Sequence, residues 1–244
     1  MLDSENINPI VSAIVCLSLF VCLAGCSNSQ ALNHREKILH NDSLTRFAHP
    51  DKWKEDIQKF KEQDSKTPPP QNAVLFIGSS SIRGWNTKKW FSDIETINRG
   101  FGGSYIIDSV YYADRIVIPY NPKTIVFYAG DNDTADGKNP EMIFADFKAF
   151  IIKVRKALPK TRIITISIKP SIDRWKFWSQ MQKANSLIRS YCEKQPNIYF
   201  VDVSKVMLDS SGHPRKDIFL PDGLHINETG YQLWTLLVRP LIDK

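Results

Sequence analysis

The sequence predicts an α/β domain built on a parallel sheet with helices on both faces. Three observations carry this expectation. Short apolar runs alternate with longer segments of helical periodicity from residue 73 onward, the pattern of a doubly wound sheet. Hydrophobic residues make up 42% and charged residues 24% of the 244 residues, enough apolar material for a packed core. No low-complexity break interrupts the chain after Val74, so one domain is expected rather than two.

The elements follow in order. Pro50-Asp51 introduces a helix-like run over 53–63, with Trp53, Ile57 and Phe60 at helical spacing, and Thr67-Pro68-Pro69-Pro70 stops it. Strands are expected over 73–77, 94–97, 124–128, 162–168 and 198–201, the second weak and the third strong. Helices are expected over 108–117, 140–158, 176–193 and 228–237. In sheets of this kind ligands bind beyond the carboxyl ends of the strands.

The N-terminus is different material. No charged residue occurs from Asn6 to Asn33, and the apolar stretch 10–23 is short for a membrane span. It ends in small residues, as an export signal does. Leu23-Ala24-Gly25-Cys26 resembles the bacterial lipobox, which implies lipidation of Cys26, although Asp3 and Glu5 stand where a basic segment is usual. An uncleaved anchor is the alternative, and both place the domain outside the cytoplasm. The expected organisation is a signal segment over 1–26, a polar tether over 27–49 and the folded domain over 50–244. Ser27, rather than aspartate, follows the cysteine, which by the same resemblance implies the outer membrane, facing the periplasm.

Cysteine and charge narrow the classes further. Cys16, Cys22 and Cys26 lie in the signal segment, leaving Cys192 as a lone thiol with no disulfide partner. No Cys/His pattern has metal spacing. The net charge of +6 rises once the acidic signal segment is removed, and suits an anionic surface such as a membrane or charged polysaccharide. The basic residues are scattered rather than striped, so nucleic acid is not an expected partner.

Four segments in one order carry the chemistry. They are Gly78-Ser79-Ser80-Ser81-Ile82-Arg83-Gly84-Trp85, Asn98-Arg99-Gly100-Phe101-Gly102-Gly103-Ser104, Ala129-Gly130-Asp131-Asn132-Asp133 and Pro221-Asp222-Gly223-Leu224-His225. Together they offer a hydroxyl nucleophile, flexible backbone donors, an amide donor and a paired acid and imidazole, the parts that acyl transfer through serine requires. Each has a bland reading. A serine between strand and helix is commonly a cap, glycines permit turns, and an asparagine in a loop makes an Asx-turn. The first three fall at three successive expected strand ends, where separate accidents are improbable. His225 has a carboxylate three residues earlier; in a helix-like turn the two would share a face. Asp222 would then fix the tautomer that leaves Nε2 free for a serine proton. Residue chemistry alone does not choose among Ser79, Ser80 and Ser81. Trp85, Trp175 and Trp178 are candidates to line a groove, though aromatics on helices are more often core.

From Trp53 to the C-terminus the chain resembles the SGNH (GDSL-type) hydrolases, in the branch with a Gly-Ser-Ser-Ser-Ile block. The resemblance implies a flavodoxin-like three-layer α/β/α fold with an open site. Gly78-Ser79-Ser80 occupies the Gly-Asp-Ser block, which gives Ser80 the nucleophile role; Ser79 replaces an aspartate that is not a triad member. Gly103 and Asn132 match the second and third blocks and, with the Ser80 amide, imply an oxyanion hole. Asp222 and His225 match the last block. The Lys169-Pro170-Ser171 and Arg174-Trp175 segments also look typical of this branch. The implied activity is hydrolysis of a small-molecule, carbohydrate or lipid ester, acetyl esters included, with no metal or cofactor. Acyl transfer to an envelope polysaccharide and a lipid-anchored binding module without catalysis are the alternatives.

Overall fold

At the centre of the computed structural model, which describes residues 31–242, five parallel strands form one sheet. They are β1 (Val74–Gly78), β2 (Thr96–Gly100), β3 (Thr124–Tyr128), β4 (Arg162–Ile166) and β5 (Ile198–Val201), in the order β2-β1-β3-β4-β5. The expected three-layer α/β/α arrangement is present. Ten α-helices surround the sheet among the described residues: α1 (His34–Phe47), α2 (Lys54–Lys66), α3 (Ser80–Arg83), α4 (Thr87–Trp90), α5 (Ile106–Ile116), α6 (Asp131–Ala135), α7 (Pro140–Ala157), α8 (Trp178–Cys192), α9 (Ser204–Met207) and α10 (Glu228–Ile242). None is long and apolar enough to cross a membrane. Cys26 and the expected signal segment lie outside the described residues.

Strand alternation sorts the core into two layers. Leu75, Ile77, Ile125 and Phe127 face α5, α7 and α8. Val74, Phe76, Val126 and Tyr128 face the opposite way, packing with Trp85, Trp234 and Val238. Because both faces are covered, β1 and β3 are buried along their whole length, which is why they read as unbroken apolar runs rather than alternating ones. Trp85 is core: its ring meets Phe76 at 5.3 Å and Trp234 at 5.7 Å.

Two boundaries differ from expectation for identifiable reasons. The second strand begins later, at Thr96, and runs to Gly100, because it pairs with β1 as far as Gly78. The fourth stops at Ile166 rather than residue 168. There the Asn185 amide takes over from a neighbouring strand, accepting from the Ile168 N–H at 2.8 Å and donating to its carbonyl at 2.9 Å.

The larger correction concerns residues 34–47, expected within a polar tether. They form α1, opened by a capping box between Asn33 and Glu36. Polar residues fasten it to α7, so its composition hid its packing. Asp146 accepts from Ser43 Oγ at 2.5 Å, contacts His40 Nδ1 at 2.7 Å and receives Lys138 Nζ at 2.8 Å. Lys138 is fully buried and also reaches Asp133 at 2.9 Å. Desolvation would lower its pKa, but the two carboxylates outweigh that and raise it. The folded unit therefore includes α1.

Candidate active site

The carboxyl ends of β1, β2 and β3 meet where the strand order reverses, between β1 and β3, the usual ligand position in such sheets. Gly78 makes the first turn possible. Its φ is +141°, and a β-carbon there would lie 1.8 Å from the Tyr128 carbonyl oxygen, so only glycine fits this close approach to β3. The chain then delivers three serines to three environments. Ser79 and Ser81 are buried, and neither hydroxyl has a hydrogen-bond partner among the described residues. Ser80 alone is partly exposed. The capping reading falls on Ser79, which holds the N-cap position of α3 but makes no side-chain cap bond.

Ser80 Oγ lies 3.1 Å from His225 Nε2. The other ring nitrogen, Nδ1, lies 2.6 Å from Asp222 Oδ2. The remaining Asp222 oxygen accepts from the Leu224 and His225 backbone N–H groups, each at 2.9 Å. The segment is a tight turn rather than the expected helical turn, and one aspartate shapes it while orienting the imidazole. The side-chain bond to His225 and then these two N–H groups lower the Asp222 pKa to about 2. An antiparallel bridge between Phe219 and Ile226 and the Leu220 N–H to His225 carbonyl bond (2.7 Å) brace the loop.

Gly103 adopts φ +77°, and open space lies where a β-carbon would project. The amides of Ser80 and Gly103 have no acceptor among the described residues. Asn132, at the start of α6, is 8% exposed and donates one amide hydrogen to the Ser104 carbonyl at 3.0 Å. It makes no Asx-turn; it ties α6 to the turn carrying Gly103, and its second amide hydrogen is uncommitted. The arrangement offers a proton relay from a hydroxyl to a carboxylate-supported imidazole, beside a set of N–H donors.

A support that sequence reasoning left unassigned joins these two halves. Asp131 accepts from the Asn132 N–H at 3.1 Å, and its other oxygen meets Lys169 Nζ at 2.9 Å and Arg174 at 3.3 Å. Burial would raise the Asp131 pKa, but Lys169 and Arg174 hold it below the usual carboxylate value. The same loop binds the histidine turn, through Asp173 N–H to the Gly223 carbonyl at 3.1 Å. Thus residues 169–174 link the Asn132 donor to the Asp222 turn. The motif around Lys169 and Arg174 was the available signal; its partners are distant in sequence. Trp175 and Trp178 stack on each other at 6.1 Å, and the cleft beside Ser80 is walled by Trp90 instead.

Fold and site define a three-layer α/β/α protein with a serine, a histidine and an aspartate in hydrogen-bonded series. Residues 76–233 match the GDSL-like Lipase/Acylhydrolase family, and the chain belongs to that family. Among solved structures it is similar to a protein from Streptococcus pneumonia provisionally described as a platelet activating factor (22% identity, 86% of this chain and 99% of that one, TM-score 0.69). It is also similar to a GDSL-like lipase from Bacteroides thetaiotaomicron (23%, 77% and 97%, TM-score 0.66). A third is a carbohydrate esterase family 3 protein from Talaromyces cellulolyticus (18%, 70% and 98%, TM-score 0.54). At these identities the likenesses speak to fold. A search of curated proteins gave no match.

Proposed function

We propose that the protein is an exported serine esterase, lipid-anchored through Cys26 in a bacterial outer membrane and facing the periplasm. The single observation that carries the catalytic part is the unbroken series Ser80 Oγ, His225 Nε2, His225 Nδ1, Asp222 Oδ2, at 3.1 and 2.6 Å. In this reading His225 takes the Ser80 proton as Oγ attacks the ester carbonyl. Asp222 holds the imidazole in the required tautomer and supports its positive charge. The Ser80 and Gly103 N–H groups and the Asn132 amide receive the negative charge that develops on the carbonyl oxygen. His225 returns its proton to the departing alcohol, then activates water to release the acid.

The substrate class proposed is an acyl ester of a carbohydrate, lipid or small alcohol, with acetyl a suitable acyl group. The carbohydrate option draws on the likeness to a carbohydrate esterase. A fluorophosphonate probe and a panel of acyl esters and O-acetylated sugars test the reading. Wild type, Ser79→Ala and Ser81→Ala should label and turn over; Ser80→Ala should do neither while keeping its fold. Activity retained by Ser80→Ala would refute the assignment.

A further inference from the structure

Arg83 lies three residues beyond Ser80 and lines the cleft of about 430 Å³ that Ser80 and His225 also border. It is exposed, and no carboxylate partner for it occurs among the described residues. Its neighbour Lys89, on the same cleft, is neutralised by Glu228. Arg83 is nonetheless positioned. A β-carbon built on Gly102 would come within 2.4 Å of the guanidinium carbon, so the guanidinium lies against Gly102, whose neighbour Gly103 has the left-handed backbone and the open amide.

The side of the cleft indicates which part of a substrate Arg83 meets. Ser80 and His225 border it, whereas Gly103 and Asn132 do not. It therefore opens on the histidine side, from which the imidazole protonates a departing alkoxide. Trp90, Leu220 and Ile226 supply apolar wall, and Arg83 supplies uncompensated positive charge. A planar guanidinium with free donors suits bidentate binding of a carboxylate or phosphate. We propose that Arg83 recognises an oxyanionic group, carboxylate or phosphate, on the alcohol portion of the ester. The proposal rests on the esterase reading of Ser80 and names the substrate feature which that site selects.

The test compares 4-acetoxybenzoate, 4-acetoxyphenyl phosphate and the neutral 4-acetoxybenzamide. For each, kcat/KM is measured with wild type, Arg83→Gln and Gly102→Ala, the last keeping the charge while displacing it. Taking the ratio of charged to neutral ester within each protein cancels general damage to turnover. Loss of a charge-assisted contact should lower that ratio about tenfold in Arg83→Gln. Gly102→Ala should lower it as well, and added salt should shrink the wild-type preference. A fall with only one anion identifies that anion as the one read. A ratio unchanged in Arg83→Gln for both anions overturns the proposal while leaving the esterase reading intact. Calorimetry of Ser80→Ala with 4-acetoxyphenyl phosphate and with 4-acetoxybenzoate reads the site without turnover. Binding that Arg83→Gln abolishes in that background supports the proposal even if wild type hydrolyses none of these three esters; the esterase reading stands or falls on the fluorophosphonate probe and the wider ester panel. Absence of binding in both proteins overturns it.

Discussion

At Asn132 one amide hydrogen is spent on the Ser104 carbonyl, and in the proposed mechanism the other serves the developing oxyanion. Asn132→Ala should therefore lower kcat by about 10²–10³-fold, the usual loss for one preorganised donor. KM should change little, because that contact strengthens mainly in the transition state. Steady-state kinetics on a soluble acetyl ester would check the split; a raised KM at constant kcat would make Asn132 a substrate-binding group. Asp222 is also doubly used, so its substitution is informative about pH. Its lowered pKa, about 2, keeps it ionised at every pH where an esterase assay is practical. Its stabilising contribution is present above the unfolded value near 3.8 and is lost only as pH falls through about 2. The acid limb of kcat/KM should accordingly carry no contribution from Asp222. Asp222→Asn should cut kcat by up to ~10⁴-fold on the serine-protease precedent, through the wrong tautomer. A two-proton acid limb in wild type would contradict this division of roles.

At the scale of elements, α1 and the loop after β4 act as braces from opposite sides. Helix α1 bonds Asp146 of α7, Asp146 bonds Lys138, and Lys138 bonds Asp133, the residue after Asn132. A chain begun at Pro50 would leave buried Asp146 without Ser43 and His40 and with only Lys138 to compensate it. Loss of such charge-assisted bonds costs about 1.5–3 kcal/mol each. Thermal unfolding should show a lower Tm for that protein than for one begun at Ala31. Equal midpoints would mean that α1 adds nothing and is a tether after all. The loop at 169–174 braces the other side, since Asp131 and Gly223 are both held by it. Lys169→Met would strand the buried Asp131 carboxylate beside Asn132. Removing one partner of a buried pair typically costs about 3–5 kcal/mol, although Arg174 remains as a second cation. Denaturant unfolding should show a substantial loss of stability, and kcat should fall with it while Ser80 is untouched.

For the whole molecule, the proposed anchor and the folded domain meet at α1. If Cys26 carries lipid, few residues separate the membrane surface from the capping box at Asn33, and the domain would sit close against the bilayer. Cys26→Ala should abolish incorporation of labelled fatty acid and release the protein from the membrane fraction. Lipid still incorporated by that variant would disprove the lipoprotein assignment.

What the sequence by itself determined is whatever local pattern can encode. Unbroken apolar runs marked β1 and β3 because both faces of a parallel sheet are buried. Helical periodicity marked α7 and α8, and glycine at the end of β1 marked a turn only glycine can make. The four segments, taken in order, were enough to identify the family. Their tertiary consequences were not local. Ser80 and His225 are 145 residues apart; the family resemblance singled out Ser80, and the fold supplies the physical reason by burying Ser79 and Ser81. Helix α1 reads as polar because its attachment runs through Ser43, His40 and Asp146, a buried ionic network rather than an apolar stripe. The roles of Lys169 and Gly102 likewise depend on partners brought from distant parts of the chain. Periodicity is a property of a few consecutive residues, whereas burial and charge pairing belong to the packed molecule, and the latter decide which of several plausible side chains can act.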